Sequence, residues 1–258
     1  MYPQIIPGLP LHTYGLCMAV GFFLAWKLVE RLSGRTDLSN LVFILLFSGI
    51  AGGRIAHVIE YWGEGFGNDP FKIFKVWEGG LVFYGGLLGA IAAFVIWSVF
   101  SRRTFRDTVE IADALALGVP LGHAFGRIGC FCYGCCWGHP SLSAFAVRFP
   151  LHSPAGEARP DMLVGKSVPL LPVQLFEAAA LLALLAVLVY VYRRHRDAIG
   201  RTVGAYLTGY GVIRFALEFL RDDDRPDLAG LSSAQLMSII LFALGLAAIL
   251  YSFRRYRR

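Results

Sequence analysis

The stretch LVFYGGLLGAIAAFVIWSVF, residues 81–100, contains no charged side chain and is as long as a helix that crosses a membrane. Six further blocks of similar length are also continuously apolar and lack the period-two alternation of barrel strands. The predicted spans cover residues 12–32, 40–61, 81–100, 108–129, 170–192, 203–220 and 231–252. The sequence therefore predicts an all-α integral membrane protein with seven transmembrane helices.

The composition also favours a membrane protein over a soluble one. Of the 258 residues, 56% are hydrophobic and 16% are charged, against about 25% charged in soluble domains. The net charge of +6 could indicate nucleic-acid binding, but the basic residues lie mostly in short clusters between apolar blocks, as topology signals do. We therefore expect no nucleic-acid partner. The opening residues MYPQIIPGLP lack the basic region of a signal peptide, so the first span is expected to remain in the mature protein.

The distribution of lysine and arginine predicts the orientation of the chain. With the N-terminus outside, the inside segments carry 13 of these residues and the outside loops carry 7. This bias favours an outside N-terminus and an inside C-terminus. The longest outside segment, residues 139–169, contains five prolines and is predicted to form a small extracytoplasmic cap. With no internal repeat or linker evident, the chain 1–258 is predicted to be a single multi-pass membrane domain.

Three arginines lie inside apolar blocks, where a charge is costly. At bilayer depth an arginine costs at least about 2.5–3.5 kcal/mol on insertion scales, so it marks a functional site or a buried partner. Arg214 precedes Glu218 by one helical turn, which forms either a self-contained ion pair or part of a site. Arg54 is either a substrate-binding residue or a structural one that pairs with Glu60 or anchors a helix end.

Arg127 is predicted at the outer end of the fourth span, between Gly126 and Gly129. Small residues let another backbone or a ligand come close. A guanidinium group suits phosphate because it donates paired, charge-assisted hydrogen bonds. Two such arginines converging on a cavity open to lipid would form a phospholipid headgroup site. An arginine that snorkels to the membrane surface is the alternative.

Glycines recur near the start of the third span, in WEGGLVFYGGLLG (77–89). Gly85 and Gly86 could serve close helix packing. Next to Tyr84, they could equally form a narrow wall that admits a substrate. The residues themselves leave both interpretations open.

Four cysteines lie within GRIGCFCYGCCWG, residues 126–138: Cys130, Cys132, Cys135 and Cys136. Thiolates suit zinc and iron–sulfur clusters, but the spacing is not that of paired knuckles and no second cluster completes it. This irregular spacing, together with the metal-free family resemblance given below, leads us to expect that the cysteines are not zinc ligands. A Cys130–Cys135 or Cys132–Cys136 disulfide fits an oxidising outer face. Packing against a cavity and a reactive thiol also stay open.

Six stretches, taken together and in order, resemble the prolipoprotein diacylglyceryl transferase family of bacterial inner membranes. They are LHTYGL (11–16), GGRIAHVIEY (52–61), VWEGGLVFYGGLLG (76–89), GRIGCFCYGCCWG (126–138), PVQLFE (172–177) and GYGVIRFALEFLR (209–221). Each stretch alone is a weak signal. All six in order, over most of a seven-span chain, are specific.

The resemblance implies an activity and a location. The family transfers a diacylglyceryl group from phosphatidylglycerol to the lipobox cysteine thiol in the signal peptide of a preprolipoprotein, and it releases glycerol 1-phosphate without a metal or other cofactor. It implies a multi-pass protein of the bacterial plasma (inner) membrane with its active site near the outer leaflet.

The resemblance also assigns roles to residues. Arg127 takes the place of the arginine that holds phosphatidylglycerol, and Arg214 and Glu218 those of a second essential arginine and its acidic neighbour. The other residues expected to line the substrate site are Tyr14, Gly85, Gly86, Gly126, Gly129, Cys130, Cys135, Gly138 and Arg54.

The chain departs from the family pattern at three positions: Tyr84 replaces the motif histidine, Cys130 the signature asparagine and Cys135 the signature glutamate. The departures affect proton transfer, because a thiolate is the nucleophile and its proton needs a base. The candidates for that base are His123, Glu218, His57 and Tyr84. Two alternatives follow: a non-catalytic phospholipid-binding paralogue, and a membrane thiol or metal protein built on the cluster of residues 130–136.

Overall fold

The computed structural model describes residues 13–64, 66, 69–76, 79–222, 227–228 and 230–255. The expectations that concern residues 1–12 and the motif residues 77–78 lie outside this range. The described part is mostly helical. Its α-helices are α1 (Thr13–Ser33), α2 (Ser39–Glu60), α3 (Phe83–Phe100), α4 (Phe105–Tyr133), α5 (Pro154–Ala158), α6 (Val173–Arg194), α7 (Arg201–Glu218) and α8 (Ser233–Arg255). Three short 3₁₀ turns accompany them, at Thr36–Leu38, Trp62–Glu64 and Pro70–Phe74.

Each of the seven predicted spans coincides with a long helix of the structure, within a few residues at either end. Five segments among the described residues are long and apolar enough to cross a membrane: Thr36–Glu60, Phe83–Phe100, Phe105–Tyr133, Val173–Arg194 and Ser233–Arg255. Helices α1 and α7 are not among them, and α7 carries three charged residues in its 18 positions. The chain is therefore a helical membrane protein with several apolar spans.

The contacts within the chain define two compact units, one formed by residues 33–108 and the other by residues 1–32 and 109–258. In the first unit, α2 and α3 pack through glycines. A Cβ atom on Gly52 would lie 2.4 Å from the carbonyl oxygen of Gly85, and one on Gly86 would lie 3.1 Å from that of Gly49. The missing side chains let the two helix backbones touch, as small residues do in membrane helix pairs.

Arg54 organises the loop that joins α2 to α3 in the same unit. Its side chain is buried and donates hydrogen bonds to the carbonyl oxygens of Ile73 (2.9 Å), Gly79 (2.6 Å) and Gly80 (3.2 Å), and also to that of Lys72. A guanidinium group has enough donors to satisfy several carbonyls at once. The partners of the Arg54 side chain are therefore the backbone carbonyl groups of this loop.

The second unit contains α1, α4, α6, α7 and α8. A cluster of leucines forms part of its core: Leu32, Leu117, Leu184 and Leu188. Helices α7 and α8 approach closely because Gly204 faces Gly245, where a Cβ would lie 2.9 Å from a carbonyl oxygen. Asp113 of α4 fixes the start of α7: its carboxylate accepts hydrogen bonds from the backbone N–H groups of Gly200 (2.6 Å) and Val203 (2.7 Å). A carboxylate at this place satisfies donors that a helix start leaves unpaired.

Between α4 and α6, the segment predicted as a cap folds around a small core of its own, formed by Phe149, Ala155 and Leu170. It contains α5 and an antiparallel pair, β1 (Pro160–Asp161) and β2 (Lys166–Ser167), with Pro160 opposite Ser167. Arg148 donates to Asp161 at 2.7 Å, and this bond holds the pKa of that carboxyl below its usual value. A second short pair, β3 (Asp227–Leu228) and β4 (Leu231–Ser232), precedes α8.

We predict that Gly52→Ala destabilises the protein. The new methyl group would press on the backbone of α3, and overpacking of this kind costs about 1–3 kcal/mol. Gly63→Ala is the matched control, because nothing lies within 4 Å of a Cβ at that position. Thermal unfolding in detergent should show a lower midpoint for Gly52→Ala only. Equal midpoints for the two variants would contradict the backbone contact.

Candidate functional site

The carboxylate of Glu177 lies at the centre of a buried polar cluster in the second unit. Glu177 lies near the start of α6 and is fully buried. Arg127 Nε lies 3.0 Å from Glu177 Oε2, and His123 Nε2 lies 3.5 Å from Oε1. The hydroxyl of Tyr210 donates to Oε1 at 3.5 Å. Because His123 and Arg127 are four residues apart on α4, both side chains reach the same carboxylate.

The second arginine of the site, Arg214, belongs to α7 and is also buried. Its Nη2 atom lies 2.6 Å from Glu218 Oε2, one turn further along the helix, so the ion pair expected from the spacing is present. Glu218 Oε1 also accepts a hydrogen bond of 2.6 Å from the hydroxyl of Ser232. Arg214 Nη1, however, is buried and has no hydrogen-bond partner among the residues that the structure describes. A buried donor without a partner costs about 1–3 kcal/mol, and more when it is charged.

The two arginines belong to one electrostatic cluster. Both guanidinium groups interact electrostatically with His123 and with Tyr210. The polar side chains of α4, α6 and α7 therefore converge. The ring of Tyr210 lies against that of His123, with centroids 5.2 Å apart. Burying charges is favourable only when each is paired, and here two carboxylates accompany the two guanidinium groups. The arrangement is a polar site inside a helical bundle.

The end of α4 folds the cysteine stretch back on itself. Gly134 and Cys136 both have positive φ angles, 82° and 61°. The N–H groups of Gly134 and Cys135 both bond to the carbonyl of Cys130, at 2.9 and 3.1 Å. This reversal places the Sγ atoms of Cys130, Cys135 and Cys136 within 4.8 Å of one another. All five cysteines of the chain are free thiols in the structure.

Two guanidinium groups interact with the three converging thiols. The pKa of Cys136 lies below its ordinary value because the thiols of Cys130 and Cys135 hydrogen-bond to it and because the Arg221 guanidinium lies beside it and bonds to it as well. Arg127 also interacts electrostatically with Cys130 and Cys136. Cys132, on the opposite side of the last helical turn, instead neighbours Cys17 of α1.

Three glycines predicted to line the site serve close contacts. A Cβ on Gly129 would lie 2.9 Å from the ring of Tyr14, and one on Gly126 would lie 3.3 Å from Met18 Sδ. Gly138 bridges to Arg221 and leaves no room for a side chain, because a Cβ would lie 2.5 Å from the carbonyl oxygen of Leu220. Tyr14 lies close enough to Cys130 and Cys135 to interact with them electrostatically, so α1 forms one wall beside the thiols.

The remaining predicted site residues belong to the first unit. Arg54 binds loop carbonyls, and Gly85 and Gly86 pack against the backbone of α2. Tyr84 is 44% exposed near the start of α3, and the ring of His57 lies against that of Tyr61 with centroids 4.7 Å apart. The roles predicted for these residues in substrate binding and proton transfer stay predictions.

Four residues of the polar cluster around Glu177 or of the surroundings of the thiols were not singled out individually from the sequence. They are Glu177, Tyr210, Gln174 and Arg221. Glu177 had a detectable signal, because an acidic residue at the start of an apolar block is as costly as the arginines that drew attention. Gln174, whose amide donates to the carbonyl of Cys135 at 2.6 Å, had no such signal.

Comparison with known proteins identifies the family. A family model described as prolipoprotein diacylglyceryl transferase matches residues 3–251. A phosphatidylglycerol–prolipoprotein diacylglyceryl transferase from Pseudoalteromonas atlantica is 35% identical over 272 residues, which cover 98% of this chain and 91% of that protein. Proteins with the same name from Methylibium petroleiphilum and Bordetella bronchiseptica are 35% and 33% identical, and each match covers at least 97% of both chains. This chain therefore belongs to the prolipoprotein diacylglyceryl transferase family.

Proposed function

We propose that this chain transfers the diacylglyceryl group from phosphatidylglycerol to prolipoproteins, as the names of its curated relatives state for those proteins. Family membership favours this transferase activity over the two alternatives that the sequence left open, a non-catalytic phospholipid-binding paralogue and a membrane thiol or metal protein. In the proposed reaction, the acceptor is the lipobox cysteine thiol of a preprolipoprotein signal peptide and the released product is glycerol 1-phosphate.

The observation that carries the proposed site is the buried guanidinium donor of Arg214 that lacks a partner. Nη2 of this side chain is engaged by Glu218, whereas the buried Nη1 is not engaged by any described residue. Arg127 lies in the same cluster and is anchored at Nε by Glu177. A phosphodiester oxygen would satisfy the open donor, and two guanidinium groups can hold phosphate through directed, charge-assisted hydrogen bonds. We therefore assign phosphate binding to Arg127 and Arg214.

The same groups fit the chemistry of transfer. The acceptor sulfur attacks the glyceryl C3 carbon, and the C3–O bond breaks with its electron pair left on the phosphate. Arginines that are already oriented stabilise this charge, and a site with little water strengthens their effect. Glu177 fixes the orientation of Arg127, while His123, a neighbour of both arginines, is a candidate to accept the thiol proton.

The proposed activity also requires a defined placement in the membrane. We propose that all seven long helices cross the bacterial plasma (inner) membrane, with the N-terminus outside and the C-terminus inside. This orientation rests on the excess of lysine and arginine in the predicted inside segments. It puts the end of α4, with Arg127, and the cap near the outer leaflet.

The cap is suited to docking of the acceptor protein. Large apolar side chains of this segment are exposed: Leu142, Phe145, Met162 and Leu163. An open cavity of about 350 Å³ also lies in the cap, with Arg148, Pro150, Leu151, His152, Gly165 and Lys166 around it. Exposed apolar side chains can pack against the apolar side chains of a partner protein. We propose that the cap contacts the prolipoprotein and takes no part in the chemistry.

Replacing Arg127 tests the phosphate site. We expect Arg127→Ala to abolish transfer and Arg127→Lys to restore little, because one ammonium group cannot reproduce the paired fork. Charge-assisted hydrogen bonds contribute about 1.5–3 kcal/mol each, and a buried group that loses its partner costs more. Turnover of labelled phosphatidylglycerol with a lipobox peptide in detergent should fall at least about a hundredfold, which corresponds to about 2.7 kcal/mol.

Arg54→Ala is the matched control for this experiment, because it also removes a buried arginine. Its partners are loop carbonyls, so we expect a lower unfolding temperature and little change in turnover by the protein that remains folded. Near-full transfer by Arg127→Ala, together with loss of transfer by folded Arg54→Ala, would contradict the assignment of the phosphate site to Arg127 and point to Arg54 instead.

Changing the exposed apolar residues of the cap tests its docking role. A variant with Leu142, Phe145 and Leu163 replaced by Ser should raise KM for a full-length prolipoprotein and leave phosphatidylglycerol binding unchanged. A short lipobox peptide serves as the matched substrate, because it cannot reach the whole cap, and its KM should change less. Equal losses with both acceptors, or weaker lipid binding, would argue against the docking role.

A further inference from the structure

Three thiols meet where α4 ends, because the chain reverses there. The Sγ atoms of Cys130, Cys135 and Cys136 all lie within 4.8 Å of one another. The N–H of Cys135 bonds to the carbonyl of Cys130, five residues earlier, a helix-cap pattern that brings the side chains of those two positions into contact. Cys132 neighbours Cys17 instead and is not part of the group. A disulfide joins sulfur atoms at about 2.05 Å, so side-chain rotation has to close the remaining distance.

The backbone is arranged to hold these thiols together. Cys136 has φ of 61°, a conformation that costs a residue with a side chain roughly 1–2 kcal/mol. The turn is held from outside, because Gln174 donates to the carbonyl of Cys135 and the N–H of Ala155 donates to that of Gly134 at 2.9 Å. Strain of this kind persists where surrounding contacts enforce it, which is common at functional sites.

Cys136 has the properties of an attacking thiol. The thiols of Cys130 and Cys135 hydrogen-bond to it, the Arg221 guanidinium lies beside it, and together they hold its pKa below the ordinary value. Cys136 follows the last residue of α4 and is partly exposed, so a substrate can reach it. The thiolate is the form of cysteine that attacks a disulfide, and hydrogen bonds and nearby cations favour it.

Cys130 is suited to complete an exchange that Cys136 begins. The two thiols hydrogen-bond to each other, and Cys136 follows Cys130 by six positions in the chain. Cys135, by contrast, is adjacent to Cys136, and adjacent cysteines rarely satisfy the Cα and Cβ distances of a disulfide. Within this group, Cys130 is therefore the favoured disulfide partner of Cys136.

The same thiols lie beside groups assigned to the transfer reaction. Arg127 interacts electrostatically with Cys130 and Cys136, and Tyr14 interacts with all three thiols. The proposed acceptor is itself a thiol, and the space outside a bacterial plasma membrane is oxidising, so disulfides form and persist there. An acceptor whose sulfur is held in a disulfide has no thiolate with which to attack carbon.

We propose that Cys136 and Cys130 form a thiol–disulfide exchange site that reduces a disulfide-blocked lipobox cysteine before transfer. Cys136 attacks, and Cys130 resolves the mixed disulfide. This inference rests on the proposed transferase function, because it names how the acceptor thiol of that reaction is freed. It adds a second reaction, on sulfur, to the reaction on the phospholipid.

Two exchange steps account for all atoms and electrons. The Cys136 thiolate attacks the acceptor sulfur, so that a Cys136–acceptor disulfide forms and the blocking group leaves as a thiolate. Cys130 then attacks Cys136 Sγ and gives its proton to that departed thiolate. The Cys136–acceptor bond breaks, and its electron pair stays on the acceptor sulfur. The two cysteines lose two electrons and the blocked acceptor gains two. A dithiol reductant, such as dithiothreitol in an assay, returns the protein to free thiols.

A coloured leaving group tests the first step. We expect the reduced protein in detergent, freed of excess reductant, to release about one thionitrobenzoate per chain from a lipobox peptide whose cysteine is blocked with that group. Cys136→Ser should release it at least about a hundredfold more slowly. Cys132→Ser is the matched control and should keep the fast release. Fast release by Cys136→Ser, or equal slowing in Cys132→Ser, would overturn the proposal.

Trapping of the peptide tests the second step. Cys130→Ser removes the resolving thiol, so the blocked peptide should stay joined to Cys136 through a disulfide. Mass spectrometry of the unreduced protein should show this complex, and Cys130→Ser combined with Cys136→Ser should abolish it. Absence of the complex from Cys130→Ser would overturn the exchange pair. Equal trapping of a peptide whose blocked cysteine lies outside a lipobox would overturn the acceptor as the substrate.

Transfer assays separate this proposal from the proposed function. With labelled phosphatidylglycerol, the reduced wild-type protein should modify both the free and the blocked lipobox peptide. Cys136→Ser should lower the ratio of blocked to free peptide modified at least about tenfold. Equal ratios in the two proteins would overturn the exchange site and leave the transferase function intact. Lack of transfer to the free peptide by the wild-type protein would instead contradict the transferase function, while thionitrobenzoate release and trapping would still report on the thiols.

Discussion

The carboxylate of Glu177 has no exposure to water, and the geometry of the site depends on how that charge is satisfied. A buried carboxylate is costly in an apolar bundle unless it has partners, and Arg127, His123 and Tyr210 lie around it. These partners come from α4 and α7, so one buried acid on α6 ties three helices together. Packing of leucines alone would specify these contacts less strictly, because apolar side chains can exchange places at little cost.

Much of the fold could be predicted from the sequence, because a long apolar block has few alternatives in a membrane. Residues 81–100 and the other apolar blocks predicted the long helices. The four-residue spacing of Arg214 and Glu218, about one helical turn, predicted their ion pair. The charged residues inside these blocks pointed to the site for the same energetic reason.

The tertiary contacts could not be predicted in the same way. The spacing of Cys130, Cys135 and Cys136 resembles no regular motif, and their convergence depends on the positive φ of Cys136 and on support from Gln174. Arg54 was predicted as a site residue because a charge inside an apolar block is costly whatever its partners are, and this role stays a prediction. Its carbonyl partners lie 18 to 26 residues away in the chain, and a separation of that size leaves no periodic pattern.

The contact between Asp113 and the start of α7 has a consequence for distances along the bundle. Arg127 lies fourteen residues after Asp113, and Arg214 lies fourteen residues after Gly200, whose N–H Asp113 binds. Each helix rises about 1.5 Å per residue, so each arginine is about 21 Å along its own helix from the same fixed point. The hydrogen bonds of Asp113 thus set a common origin for α4 and α7. Deletion of one residue from either helix between these points would shift the guanidinium group of that helix by about 1.5 Å along the helix axis. It would also turn that group by about 100° around the helix axis.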